Sequence, residues 1–311
     1  MFTTTLISRS VTAAARRRSG VLASPTLANA IRSFAINDDS SKGNEGNDSP
    51  APAVDDRERD RLIRDNLPVT FADISRAHVA IRDGVVRTKC EKSVFLSEII
   101  GANIYLKPEF RQFTGSFKER GARNAILKLK NRDPESAQRG VIAASAGNHA
   151  LALAYHGREL GIPVTVVMPT VAPLAKVDKC RKFGARIIIE GMHIGEAKTY
   201  AETLVQLEGL TYINGYDDPP IIAGAGTIGI ELIDDVPNVD IVVVPVGGAG
   251  LIAGIACSVK TLKPEARVSV MNVGVNCRRP DQAASICSHD QCPPSRSLVS
   301  SQSSVHPTLV L

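Results

Sequence analysis

Across residues 67–260, short apolar runs alternate with stretches of helical spacing. No other feature constrains the fold as tightly, because this alternation marks a parallel sheet whose strands are joined through helices. Strands are predicted at 103–107, 140–144, 164–168, 186–189 and 241–246, with another beginning at 267–271. Helices are predicted at 121–130, 148–160, 176–183, 196–207, 227–234 and 251–260. Gly161-Ile162-Pro163 and Phe183-Gly184-Ala185 read as helix stops. A length of 311 residues suffices for one large domain or two modest ones, and no apolar run reaches the length of a membrane span.

Charge is informative only once it is located. Five of the 37 basic residues (Arg9, Arg16, Arg17, Arg18 and Arg32) lie in 1–35, which has no acid and no lysine; the other 32 are balanced by 32 acids. That balance argues against a basic nucleic-acid surface, and the absence of tryptophan removes one stacking platform. An arginine-rich, acid-free segment rich in serine and alanine has the composition of a transit peptide, so 1–36 is expected to direct import into the mitochondrial matrix. The Ser-, Gly-, Asn- and Pro-rich stretch 37–61 is expected to be a solvated linker. Six cysteines show no metal-ligand spacing and suit a reducing compartment.

Three stretches carry chemistry. The first is TGSFKERGARN, residues 114–124, which places Lys118 at the mouth of a helix. There the positive end of the helix dipole and desolvation by Phe117 both lower an amine's pKa and favour a nucleophile. The second, Ser145-Ala146-Gly147-Asn148-His149, lies between a strand and a helix. Exposed amides at a helix start suit a carboxylate, while Asn148, Ser145 and His149 add polar groups; a capped turn is the plain alternative. The third, Gly247-Gly248-Ala249-Gly250-Leu251, also joins a strand to a helix and leaves room for a phosphate. It fits the G-x-G-x-x-A dinucleotide pattern too, but the strand that follows ends in Asn272 without the ribose-binding acid.

In this order and spacing the three stretches resemble the pyridoxal-phosphate (PLP) dependent threonine and serine dehydratases (the threonine ammonia-lyase family) and their relative serine racemase. The resemblance covers about 66–260 and includes Leu96-Ser97-Glu98, Tyr105-Leu106-Lys107, Met168-Pro169 and Ala223-Gly224-Ala225-Gly226-Thr227. It implies the tryptophan synthase β-like fold (fold type II), α/β with parallel sheets in two domains: a large one at 62–139 and 218–276 and a small one at 140–217. It also implies PLP as cofactor, with Lys118 attached to it and acting as base, and Phe117 against its ring. Asn148 would bind its hydroxyl, and Gly247, Gly248, Ala249, Gly250 and Leu251 its phosphate. Ser145, Ala146, Gly147, Asn148 and His149 would hold the substrate carboxylate, with Ser145 and His149 taking part in catalysis. The implied substrates are L-threonine and L-serine, with no metal, nucleic acid or membrane, and a homo-oligomer if the full fold is made. Serine racemase has a serine where this chain has Ala146, so dehydration is expected over racemisation, with a lyase for another β-hydroxy amino acid as a further alternative.

The resemblance breaks after 271. Gly274-Val275-Asn276-Cys277 is a poor match to the family's Gly-Val-Glu-Pro, and 277–311, rich in Ser, Pro, Cys, Gln and His, shows neither helical nor strand periodicity. The expectation is an aberrant or disordered tail on a truncated or frame-shifted chain that binds PLP weakly, folds poorly or is inactive.

Overall fold

A computed structural model describes residues 68–271 and 307–310; the expected transit peptide and linker, and 272–306 of the tail region, lie outside the described residues. The first half of the chain runs α1 (Phe71–Ile81), β1 (Glu91–Lys92), α2 (Val94–Ile100), β2 (Asn103–Leu106), a single 3-10 turn (Glu109–Arg111), α3 (Lys118–Arg132), α4 (Pro134–Arg139), β3 (Val141–Ala144) and α5 (Asn148–Leu160). It continues through β4 (Val164–Met168), α6 (Leu174–Lys182), β5 (Arg186–Ile189), α7 (Ile194–Glu208), β6 (Thr211–Tyr212), α8 (Pro219–Asp235), β7 (Ile241–Pro245), α9 (Gly250–Leu262), β8 (Arg267–Met271) and β9 (Thr308–Val310).

Two sheets result. Strands β3 to β6 form a four-stranded parallel sheet in the order β5-β4-β3-β6. Every residue of β4 is buried, as expected for a central strand covered on both faces by crossover helices. One apolar cluster joins this sheet to α3 and α5 through Ile126, Val141, Leu153 and Val166, and a second packs its other face on α7 through Ala197, Ala201 and Leu204. The other sheet is five-stranded, in the order β1-β2-β9-β7-β8, with only the β1–β2 pair antiparallel. Its core combines Val242 and Val244 with Ile228 and Leu232 of α8 and Ile255 and Val259 of α9.

Local chemistry accounts for the boundaries. Gly161 and Gly184, predicted helix stops, have φ of 69° and 83°, the left-handed conformation that ends α5 and follows α6. Helix α1 lacks a sequence-based expectation above, yet it carries a capping box in which Thr70 and Asp73 satisfy each other's backbone N–H groups. Helix α8 begins eight residues earlier than the periodicity predicts, at Pro219-Pro220, where proline is favoured in a first turn. Ala223 to Thr227 therefore lie inside a buried helix.

One short segment of the tail region is described. Thr308–Val310 is a strand, and it occupies the middle of the larger sheet. It pairs in parallel with β2 (Ile104↔Leu309) and with β7 (Ile241↔Leu309). Asn103 N–H donates to the Pro307 carbonyl at 2.8 Å, and Thr308 N–H donates to Asp240 at 2.7 Å. Three residues are too few to show an alternating pattern, so the segment has no readable period. Val310 is buried in the apolar cluster, and Val310→Asp places an unpaired carboxylate there, at a cost of ~3 kcal/mol or more. Urea unfolding followed by circular dichroism should show a lower midpoint; an unchanged midpoint would remove β9 from the sheet.

Candidate active site

The sequence TGSFK builds the first wall. Lys118 is the first residue of α3, three residues earlier than the periodicity predicts, so its amine sits in the first turn, where the helix dipole opposes a positive charge. The side chain is half-buried; its Nζ donates to the Gly215 carbonyl and lies 5.1 Å from the centre of the Phe117 ring. Burial pushes the amine below the ordinary lysine range. Phe117 packs on the β7–α8–α9 cluster, and so does Leu251. Ser116 Oγ is buried without a protein partner.

The second wall follows β3. Gly147 precedes α5 in extended conformation, and its N–H donates to Ser145 Oγ at 3.3 Å, which leaves the serine proton to donate elsewhere. Asn148 is exposed, and its Oδ1 accepts from Lys176 Nζ at 2.9 Å, so its NH2 is the donor end. His149 is buried, with Nε2 3.1 Å from the Ile213 carbonyl. A carbonyl only accepts, so Nε2 carries the proton and Nδ1, buried without a partner, is an acceptor. Burial, and secondarily the Lys118 charge, pushes the imidazole pKa down to about 4.

The third wall is the turn into α9. Ala249 has φ 64° and ψ −10°, the only non-glycine with positive φ among the described residues. A Cβ on Gly248 would lie 2.6 Å from Tyr216 Cγ, and one on Gly250 2.0 Å from the Tyr216 carbonyl oxygen, so only glycine fits at either position. A Cβ on Gly247 would meet nothing within 4 Å. The first N–H groups of α9, without intrahelical acceptors and at the positive end of the dipole, form a cradle for an anion.

One segment, the crossover 213–218 between β6 and α8, touches all three walls. Ile213 accepts from His149, Gly215 accepts from Lys118, and Tyr216 packs against the glycines. Asn214 N–H donates to Asp218 Oδ2 at 2.6 Å and tightens the turn. Sequence reasoning passed over Gly215 and Tyr216; the turn dipeptide Asn214-Gly215 ahead of Pro219-Pro220 was the available signal. Lys118, His149 and the glycine turn are thus brought to one place. Asn148 and Ala146 stand at the neighbouring turn into α5. A half-buried amine and an anion cradle set against the same short segment suit a molecule that bears an electrophilic carbonyl and a phosphate.

Comparison with known proteins agrees with this chemistry. The family model described as pyridoxal-phosphate dependent enzyme matches residues 81–306. The L-threonine ammonia-lyase of Thermotoga maritima is 46% identical over 200 residues, which cover 64% of this chain and 49% of that protein. Among solved structures, the processed form of threonine deaminase isoform 2 from Solanum lycopersicum superimposes with a TM-score of 0.61 at 37% identity, covering 65% of this chain and 55% of the other. Maize serine racemase gives 0.63 at 32% identity, covering 65% and 61%. The chain spans about half the length of the curated relatives it matches.

Two outcomes test the geometry. A left-handed alanine costs about 1–2 kcal/mol relative to glycine, so Ala249→Gly should raise the thermal midpoint by about 1 kcal/mol equivalent, and a lowered midpoint would contradict the turn. The pKa of His149, about 4 when folded, lies below its ordinary value of 6.5, so the unfolded chain binds the extra proton between those limits. Stability is therefore intact above about pH 6.5 and falls by up to ~3 kcal/mol as the pH drops to about 4. His156, also depressed, chiefly by burial, acts in the same direction. His149→Gln should flatten this dependence in urea titrations at about pH 7 and about pH 4.5; equal wild-type stability at both would refute the assignment.

Proposed function

This chain belongs to the pyridoxal-phosphate dependent enzymes, and on that premise we propose that it deaminates L-threonine, and L-serine as a second substrate, by β-elimination. The Cα proton and the β-hydroxyl leave, one water adds back at Cα, and ammonia departs, so threonine yields 2-oxobutanoate and serine yields pyruvate. The observation that carries the reading is the meeting of the Lys118 amine and the glycine cradle on the 213–218 crossover. Relatives named for threonine deamination, matched over about two-thirds of this chain, supply the substrate.

The residues present fit PLP. Lys118 Nζ would hold its aldehyde carbon, the turn 247–251 its phosphate, Phe117 its ring and the Asn148 NH2 its hydroxyl. Ser116 Oγ and His149 Nδ1, both buried without protein partners, leave hydrogen-bonding capacity for a ligand. When bound, PLP supplies an electron sink that acidifies the substrate Cα–H. Lys118, as the neutral amine that burial favours, takes that proton, and the Gly215 carbonyl orients the amine. The amides and dipole at the start of α5, with the Ser145 hydroxyl, hold the substrate carboxylate. His149 stays neutral near pH 7 and acts as an acceptor at Nδ1 rather than as an acid.

Racemisation needs a second acid–base group on the opposite face of the substrate carbanion. At the position where serine racemase supplies a serine hydroxyl, Ala146 has a methyl group that carries no exchangeable proton, which favours elimination.

The test is a titration of the full chain with PLP, followed by L-threonine and an assay for 2-oxobutanoate. The wild type should develop a visible absorption band and release the oxo acid. Lys118→Ala should lose the band and about a thousand-fold or more of the rate. A wild-type chain with the band but no oxo-acid release would overturn the proposed activity.

A further inference from the structure

One residue beyond Lys118, the chain buries a carboxylate that the proposed reaction does not use. Glu119, on the first turn of α3, and His156, on α5, are both fully buried, and Glu119 Oε2 lies 3.4 Å from His156 Nε2. Neither atom has a hydrogen-bond partner, so the contact is electrostatic rather than a hydrogen bond. Arg123 Nη1 stands 3.4 Å from His156 Nδ1. A guanidinium only donates, so Nδ1 is the acceptor and the imidazole proton sits on Nε2, facing Glu119. The other carboxylate oxygen, Oε1, accepts the Thr114 N–H.

This last bond closes a ring around the lysine loop. Thr114 is tied to Glu119, Gly115 N–H donates to the Gln112 carbonyl at 2.9 Å, and Arg120 N–H donates to the Phe117 carbonyl at 3.1 Å. Ser116, Phe117 and Lys118 lie inside the ring. His149 and His156 are seven residues apart on α5, two helical turns, so one helix face reaches both Gly215, the partner of Lys118, and Glu119. Apolar residues of similar volume are often as stable as a buried charge and its partners, so stability alone does not account for these residues.

We propose that Glu119 and His156 are positioning residues: the imidazole holds the carboxylate, the carboxylate holds the Thr114 N–H, and the closed loop keeps the Lys118 amine half-buried against Gly215. The proposal rests on Lys118 being the reacting amine. Burial of Glu119, which alone would raise its pKa, is overcome by the His156 and Thr114 contacts, so the carboxylate stays charged.

The test uses the full chain without cofactor. Competitive acetylation by acetic anhydride across pH, read by mass spectrometry, gives the apparent pKa of Lys118, with exposed Lys130 as internal reference; thermal midpoints are recorded alongside. In His156→Leu the loop should loosen and the Lys118 pKa rise by about one unit, which is about ten-fold less neutral amine at a fixed pH well below that pKa. His156→Gln, which keeps an N–H donor, should remain close to wild type. If His156→Leu does not fold because it strands the Glu119 charge, the double variant E119L/H156L removes both groups and should show the same rise in the Lys118 pKa. A wild-type Lys118 pKa in a folded His156→Leu or double variant, with only the thermal midpoint changed, would overturn the positioning role. Absence of 2-oxobutanoate release from a wild-type chain with a depressed Lys118 pKa would sink the proposed activity and leave the positioning role intact.

Discussion

The structure depends on one buried cation. Arg120 is fully buried, and its guanidinium donates to Glu109 at 2.9 and 2.8 Å and to Glu231 at 2.6 and 2.8 Å. Thr227 Oγ1 at 3.1 Å and the Val86 carbonyl at 3.3 Å complete the set. Burial works against the charge, and the bonds to the two carboxylates more than reverse that effect, so the pKa stays above the ordinary arginine value. The network extends outward: Lys107 donates to Glu231 at 2.7 Å, and Asp235 joins Arg87 and the Cys90 N–H, each at 2.8 Å. Removing one partner of such a buried pair typically costs about 3–5 kcal/mol, because the other charge is left without compensation. The segment 86–112, the start of α3 and helix α8 are therefore locked as one unit.

That lock gives Lys118 its setting. Consecutive residues of a helix point about 100° apart, so four in a row sweep the whole circumference. Phe117 meets the β7–α8–α9 cluster, Lys118 the Gly215 carbonyl, Glu119 the Thr114 N–H and His156, and Arg120 the two carboxylates. Three of the four directions are structural anchors. The fourth presents an amine to the crossover that also touches the glycine turn and His149. The amine is held precisely because its neighbours are immobilised by groups in all other directions.

The larger sheet shows how far such dependence reaches. Without β9, strands β1 and β2 would have no pairing to β7 and β8, and two strand edges would open in the interior of the molecule. A three-residue strand suffices because both of its neighbours are already held. Strand β2 follows α2, and β7 is covered by α8 and α9. Val310 then fills the apolar space between them.

Features encoded locally were legible from the residues alone. The predicted strands at 164–168 and 186–189 and the predicted helix at 148–160 coincide with β4, β5 and α5, because burial period and turn chemistry act within a few residues. The stretches at 114–124, 145–149 and 247–251 were readable as turns leading into helices for the same reason: each is contiguous, and α3, α5 and α9 begin within them. Residues that act across the chain could not be read this way. Glu231 lies 111 positions from Arg120, Gly215 lies 97 from Lys118, and Thr308 lies 68 from Asp240. Partners at such separations meet only through the packing of the whole chain. The sequence by itself determined the elements and their chemistry; the tertiary structure decided which side chains those elements bring together, because burial and strand pairing between distant segments have no local period to read.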